Sequence, residues 1–86
     1  MALPCLVCGK ELEQIDSGSF NHPNNACACY THGNYGSCVF DPLNDYHLLE
    51  FNVCDECLVK YKDSIRLVIR QHHTTEEVHD FDPGTA

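Results

Sequence analysis

Basic residues are scarce in this chain. Its 86 residues include 5 Lys or Arg against 13 Asp or Glu, a formal net charge of −8 at pH 7 with the histidines neutral. Affinity for nucleic acid comes largely from cations that displace the counterions condensed on phosphate, so a surface of this sign repels a nucleic-acid backbone. We therefore expect nucleic-acid binding to be disfavoured and a protein partner with a basic surface to be attracted.

Long apolar runs are missing as well. The chain has no stretch of about 18 apolar residues, the length that crosses a membrane. Residues 1–8 also lack the basic start and the extended apolar segment of a signal peptide. These absences predict a cytoplasmic protein without a membrane partner.

The chain is too short for a large hydrophobic core. A domain of about 60 residues buries only about 60 % of the surface that its unfolded chain exposes, and its stability is marginal. Small domains of this kind usually carry an additional crosslink, such as a disulfide or a metal ion. We therefore expect a single small domain held together by something other than apolar burial.

Cysteine, by contrast, is abundant, with seven in the chain. Such a density indicates either the disulfide scaffold of a secreted protein or metal ligation. A reducing cytosol disfavours structural disulfides, and an odd number of cysteines leaves one thiol unpaired. Metal ligation is the better interpretation.

Four of the cysteines form two C-x-x-C pairs, Cys5 with Cys8 and Cys54 with Cys57, with 45 residues between the pairs. Gly9 follows the first pair, where a tight turn with positive φ would let backbone N–H groups point at the sulfurs. Four thiolates in a tetrahedral array suit one Zn²⁺ ion, and a closed site of this kind contributes directly to folding. We predict that these four cysteines bind one structural zinc ion, with the first pair on a zinc knuckle.

The second pair is expected at the start of a short helix. Acidic residues follow Cys54 and lysines come a few residues later, a charge order that complements the dipole of a helix over residues 55–63. Cys57 would lie in the first turn of this helix, where the helix N-terminus favours a thiolate.

The predicted order of elements is a zinc knuckle, intervening strands and a ligand pair at the start of a helix. This order resembles the treble-clef and zinc-ribbon group of small zinc proteins. The resemblance covers residues 5–63 and rests on the four cysteines and Gly9. The spacer of 45 residues is longer than the spacer of about 15 to 20 residues in the compact pattern. Residues 33–37, 39–42 and 49–57 are also similar to small uncharacterised proteins of bacteria and their phages, a likeness that implies no particular activity.

Three strands are expected between the cysteine pairs. Residues 26–31 alternate in polarity and residues 36–40 are rich in strand-forming side chains, which predicts an antiparallel β-hairpin across residues 32–35. A third strand over residues 46–53 would lead into the second pair. Tyr35 would then lie exposed at the tip of the hairpin loop, as a candidate contact with a protein partner.

Residues 64–71 fit two secondary structures. Apolar residues at helical spacing would extend one helix from residue 55 to residue 72, whereas alternation and β-branched side chains favour a fourth strand. We expect the strand and keep the helix as the alternative.

The last residues, 74–86, carry four acids and no Lys or Arg. This composition predicts a solvated, mobile acidic tail. The zinc-ribbon or treble-clef-like domain would then comprise residues 1–73.

Cys27, Cys29 and Cys38 remain outside the four predicted ligands. They could pack as small apolar residues, form a second metal site with a nearby histidine, or, for Cys29 and Cys38, form a disulfide on oxidation. Packing is favoured, because no metal-ligand spacing links them.

The expectation is thus a small zinc-stabilised α+β protein that is not an enzyme. Four thiolates leave no open coordination position, and the sequence shows no catalytic grouping or phosphate-binding loop. Its leading function would be that of an adaptor or inhibitor that binds another protein, of the kind that a phage directs against a host protein.

Two alternatives remain. Four cations within residues 60–70 could form a local basic stripe for nucleic acid. HNH-type nucleases also build a treble clef around structural zinc, and the run 21–23 with His22 is faintly similar to their motif. The residues after Cys57 lack the His or Asn that this nuclease pattern expects there.

Overall fold

The computed structural model describes residues 2–42, 46–71 and 75–84. Within these ranges the elements follow in the order β1 (Ala26–Thr31), β2 (Leu49–Cys54), α1 (Asp55–Lys60), a 3-10 helix (Lys62–Ser64), β3 (Arg66–Gln71) and β4 (Thr75–Asp80). β1 pairs with β2 and β3 pairs with β4, both antiparallel. The protein is a small α+β structure with two antiparallel strand pairs and little helix.

The chain divides into two compact units, Met1–Asp55 and Glu56–Ala86. The first contains β1 and β2, and the second contains β3 and β4. No helix among the described residues is long and apolar enough to cross a membrane.

In the first unit, β2 has a neighbour on each edge. On one edge it pairs with β1, so that Ala26 lies opposite Cys54 and Ala28 opposite Asn52. On the other edge Cys5 forms a parallel bridge with Asn52, and the Leu6 N–H donates to the Asn52 carbonyl oxygen at 2.8 Å. This bridge brings the N-terminal cysteine pair beside the end of β2.

Few side chains of the described residues are buried. Those that are buried are Cys5, Cys54, Cys57, Asn52 and Pro23. No Leu, Ile, Val or Phe is among them, so no large aliphatic or Phe side chain of the described residues is completely removed from water. The buried side chains of the described residues are thus three cysteines, one asparagine and one proline.

The predicted hairpin between residues 26–31 and 36–40 is wrong in its second strand. β1 forms as expected, but its partner is β2, and residues 36–40 contain turns and bends. Ser37 provides a reason, because its Oγ accepts hydrogen bonds from the N–H groups of Val39 at 3.1 Å and Phe40 at 2.9 Å. These local bonds compete with the ladder that a strand would need.

The strand expected over residues 46–53 is shorter and shifted, because β2 begins at Leu49 and ends at Cys54. The helix expected over residues 55–63 is divided, since α1 ends at Lys60 and a 3-10 helix follows. Cys54 is therefore the last residue of a strand, and Cys57 lies in the first turn of α1.

The fourth strand expected within residues 64–71 is confirmed as β3, and the helical alternative is wrong. Its partner β4 comes from residues expected to form only a solvated acidic tail. Cross-strand charges explain the difference: Arg66 lies opposite Asp80, and the Arg70 Nε is 3.2 Å from a Glu76 carboxylate oxygen. The mobility of the tail and the domain boundary after residue 73 stay predictions, and residues 72–74 and 85–86 lie outside the described residues.

A methyl group at Gly33 would not fit the loop between β1 and β2. Gly33 has a φ of +89°, and an added Cβ would lie 2.6 Å from the Phe40 carbonyl oxygen and 2.8 Å from the Pro42 Cδ. We expect Gly33→Ala to lower the free energy of unfolding by about 1–3 kcal/mol, because it adds backbone strain to a steric clash. Equilibrium unfolding in denaturant at a fixed zinc concentration measures this loss.

Gly36→Ala is the matched control. Its φ is not positive, and an added Cβ would meet only the end of the Asn34 side chain, at 3.1 Å. We expect a change below about 0.5 kcal/mol. Equal losses in the two variants would contradict the loop geometry.

Candidate metal centre

The first cysteine pair lies on a tight turn near the start of the chain. The Gly9 N–H donates to the Cys5 carbonyl oxygen at 2.9 Å, and the Cys5 N–H donates to the Lys10 carbonyl oxygen at 2.9 Å. Gly9 has a φ of +75°, a conformation that glycine adopts without the usual penalty of a side chain. The sequence predicts this turn from Gly9, the residue that follows the first pair.

The second pair lies where β2 continues directly into α1. At this junction the Asp55 N–H donates to the carbonyl oxygen of Asn25 at 2.9 Å. Asn25 itself has a φ of +55°, a left-handed conformation that Asn tolerates better than most residues. The bond ties the residue after Cys54 to the residue before β1, so the chain direction at Cys54 is determined by the sheet.

The four predicted ligands come together. The Sγ atoms of Cys5, Cys8, Cys54 and Cys57 all lie within 4.8 Å of one another, and those of Cys8 and Cys54 are 3.9 Å apart. Four sulfurs placed tetrahedrally around Zn²⁺, with bonds of about 2.3 Å, are about 3.8 Å apart. The observed spacing is close to this value, so the cluster can hold one metal ion.

The chemistry of the donors favours a soft or borderline metal. Thiolates suit Zn²⁺, whereas Mg²⁺ and Ca²⁺ prefer oxygen ligands. Cys5, Cys54 and Cys57 are buried and Cys8 is exposed, so the cluster has three shielded ligands and one that faces solvent.

The backbone prepares Cys5 for metal binding. Burial raises the pKa of the Cys5 thiol, but hydrogen bonds from the backbone of Cys54, Cys8 and Val7 outweigh this effect and lower the pKa to about 6. The Cys54 N–H donates to the Cys5 Sγ at 3.4 Å. Because the thiolate is the form that binds metal, these N–H groups favour a ligand over a neutral thiol.

The other three cysteines form no second metal site with the residues that the structure describes. Among the described residues, the four-cysteine cluster is the one group of three or more Cys, His, Asp or Glu whose ligand atoms lie close enough to hold an ion. Cys27, Cys29 and Cys38 are free thiols, and the hairpin that would have placed Cys38 opposite Cys29 is not present. Burial and the charge of neighbouring Cys27 raise the pKa of Cys29.

His22, the residue singled out for the nuclease alternative, pairs with Asp16 instead of joining the cysteines. Its Nδ1 lies 2.9 Å from an Asp16 carboxylate oxygen, and its backbone N–H donates to the Gln14 side chain at 3.1 Å. The hydrogen bond with His22 holds the pKa of Asp16 below its ordinary value. These contacts stabilise the loop of residues 14–23.

Tyr35 is 95 % exposed, in agreement with its expected place in a loop. Sequence reasoning missed Val39, which is 94 % exposed, because residues 36–40 were assigned to a strand. It also missed Asn52, which is 0 % exposed. The sequence signal that could have identified Asn52 is an amide side chain within the mainly apolar run that leads to Cys54. A polar side chain buried in such a run must find hydrogen-bond partners.

Comparisons of the chain with protein-family models, with curated proteins and with solved structures find no significant match. The functional argument therefore rests on the geometry of the cluster and of the surface.

Replacing one ligand should remove the metal and the fold together. Structural zinc contributes about 10–16 kcal/mol to the folding of small zinc peptides, which matches or exceeds the whole stability of a typical domain. We expect native mass spectrometry to show one Zn²⁺ in the native protein and none in Cys54→Ser, which should also lose its cooperative unfolding transition. Cys38→Ser changes an exposed cysteine outside the cluster and should keep both; a Cys54→Ser protein that retained the ion would contradict the assignment.

Acidification should release the metal. The Cys5 pKa of about 6 in the folded protein lies below its ordinary value of 9.0. The thiolate therefore stabilises the folded state fully above pH 9, progressively less as the pH falls, and no longer below pH 6. Protons also compete with the metal for all four sulfurs. Because a bound ion opposes protonation of its ligands, we expect a zinc indicator to report release, together with loss of the fold by circular dichroism, only as the pH is lowered beyond the pKa of the metal-free thiol; a protein that kept both ion and fold in strong acid would contradict this linkage.

Proposed function

We propose that this protein is a non-catalytic, zinc-stabilised module that binds another protein. The observation that carries the proposal is the four-cysteine cluster, because four thiolates complete a tetrahedral zinc site and leave no position for a substrate or an activated water. The zinc ion is structural, and the function belongs to the surface. We assign the centre to the treble-clef and zinc-ribbon type, with residues 5–9 as its zinc knuckle.

The loop of residues 33–40, here called the contact loop, supports a role in binding. Its two most exposed apolar side chains are Tyr35 and Val39. The Asn34 N–H donates to the Phe40 carbonyl oxygen at 3.3 Å, and the Ser37 hydroxyl accepts the two bonds described above. A loop already held by such bonds loses little conformational entropy on binding, and an exposed Tyr is a frequent anchor of protein interfaces.

Charge supports a basic partner. Residues 1–55, which include the contact loop, carry seven acidic residues and one basic residue, Lys10, for a net charge of −6. A strongly negative surface attracts a positive one over several ångströms and raises the rate of association. We infer that the partner presents a basic surface to this unit, as a nucleic-acid-binding protein does.

The alternative of nucleic-acid binding through residues 60–70 has weaker support. Arg70 is paired with Glu76, and the Lys62 amine lies 4.0 Å from an Asp63 carboxylate oxygen. Carboxylates beside these cations reduce the attraction for phosphate that a basic stripe would provide.

Tyr35→Ala should weaken the complex with the partner at least tenfold, since loss of an interface anchor costs about 2 kcal/mol or more. The protein is immobilised, the bound partner is identified from the native host, and the affinity of each variant is measured by titration. Phe20→Ala is the matched control, because Phe20 is an aromatic side chain of the same unit that is 85 % exposed but lies outside the contact loop. Affinity should also fall as salt is added.

Two results would overturn the proposal. One is a partner complex that is equally tight for Tyr35→Ala, Phe20→Ala and the native protein. The other is a gel shift with DNA or RNA at low salt in the absence of any protein complex, which would favour the nucleic-acid alternative.

A further inference from the structure

The most buried polar side chain of the described residues lies next to the metal centre. Asn52 is 0 % exposed and occupies β2 two residues before Cys54. A buried amide without partners is costly, and each of its unpaired groups would destabilise the fold. The partners of this amide therefore indicate what the residue does.

Asn52 and Asn21 form a reciprocal pair of hydrogen bonds. The Asn52 Nδ2 donates to the Asn21 Oδ1 at 2.8 Å, and the Asn21 Nδ2 donates to the Asn52 Oδ1 at 2.6 Å. The two side chains, here called the amide pair, satisfy each other across 31 residues of sequence. No buried side-chain nitrogen or oxygen of the described residues lacks a hydrogen-bond partner.

The amide pair also holds the backbone of Leu3. The Leu3 N–H donates to the Asn21 Oδ1 at 3.0 Å, and the Asn52 Nδ2 donates to the Leu3 carbonyl oxygen at 2.8 Å. Both hydrogen-bonding groups of one peptide residue are thus bound by side chains. An adjacent strand would bind them in the same way.

Leu3 lies two residues before Cys5, and Asn52 lies two residues before Cys54. The backbone bridge between Cys5 and Asn52 continues the contact made by the amide pair, and the bond from the Cys54 N–H to the Cys5 Sγ completes it. Three successive contacts therefore join the N-terminal segment to the end of β2. The first of them is made by side chains that take no part in the cluster.

We propose that Asn21 and Asn52 are positioning residues of the metal centre, which hold the segment carrying Cys5 and Cys8 against β2 in the folded protein. The inference rests on the metal site of the proposed function. Bringing together two cysteine pairs that are 45 residues apart has an entropic cost, and the hydrogen bonds of the amide pair offset part of it. The amide pair thereby raises the affinity for zinc without contacting the ion.

Asn52→Asp tests the proposal with a side chain of the same size. The carboxylate lacks the Nδ2 that donates to Leu3 and to Asn21, and it places a buried negative charge near the thiolates. We expect the dissociation constant for Zn²⁺, measured by competition with a chelating indicator, to rise at least tenfold. Asn24→Asp is the matched control, because it makes the same chemical change at an exposed position of the same unit and should leave the constant unchanged.

A second variant tests the same role if the Asn52→Asp protein does not fold. Asn21→Ala removes the partner from a half-buried position and leaves β2 intact, and it should weaken zinc binding in the same direction. Asn52→Ala, made alone, and the double variant Asn21→Ala/Asn52→Ala complete a double-mutant cycle. If the two amides act as a unit, the double variant should lose less affinity than the product of the losses in Asn21→Ala and Asn52→Ala.

Cysteine alkylation separates docking from general stabilisation. In the zinc-loaded full chain, Cys5 should react slowly with an alkylating reagent and the exposed Cys38 quickly. Variants of the amide pair should expose Cys5 while Cys54, within the sheet, stays protected. Equal exposure of Cys5 and Cys54 would indicate general unfolding and overturn the proposal.

The outcomes also separate this inference from the proposed function. A native protein that binds no zinc would remove the metal centre itself. A native protein that binds zinc, with amide-pair variants that bind it equally tightly, would overturn the positioning role and leave the proposed function standing. Rapid alkylation of Cys5 in the zinc-loaded native protein would overturn the docking of its segment onto β2.

Discussion

The closeness of four sulfur atoms is the constraint on which this structure depends. Two cysteine pairs that are 45 residues apart meet within 4.8 Å, and three of these four cysteines are among the few buried residues of the described chain. Chains of this size rarely bury enough apolar surface to be stable, and this one buries no large aliphatic side chain among its described residues. A metal ion in the cluster would replace the hydrophobic core, so the stability of the fold would vary with the supply of metal.

The four cysteines of the cluster could be predicted from sequence because metal ligands follow local spacing patterns. Two C-x-x-C pairs and Gly9 are patterns within five residues, and the alternation that predicted β1 and β3 is local as well. The partner of β1 could not be predicted in this way, because pairing with β2 is a long-range choice that the Ser37 turn helps to decide. β4 could not be predicted for a related reason: its acids look solvated along the chain, and the positions of Glu76 and Asp80 opposite Arg70 and Arg66 are visible only across the strand pair.

The amide pair shows how a polar interior can be specific. A hydrophobic core tolerates many substitutions of similar volume, whereas a reciprocal amide pair requires two donors and two acceptors at defined positions. Asn52 satisfies its own side chain and binds Leu3 at the same time, so one residue links the N-terminal segment to the sheet. Large apolar side chains such as Tyr35 and Val39 are then not required inside and remain on the surface.

The exposure of Cys8 has a kinetic consequence. The other three sulfurs of the cluster are shielded, so incoming thiols or chelators can reach the centre by way of this ligand. An entering thiolate or chelator would bind the metal in place of Cys8 first and displace the other cysteines in turn. A structural zinc ion in this cluster would therefore be held strongly at equilibrium and still exchange from the side of Cys8.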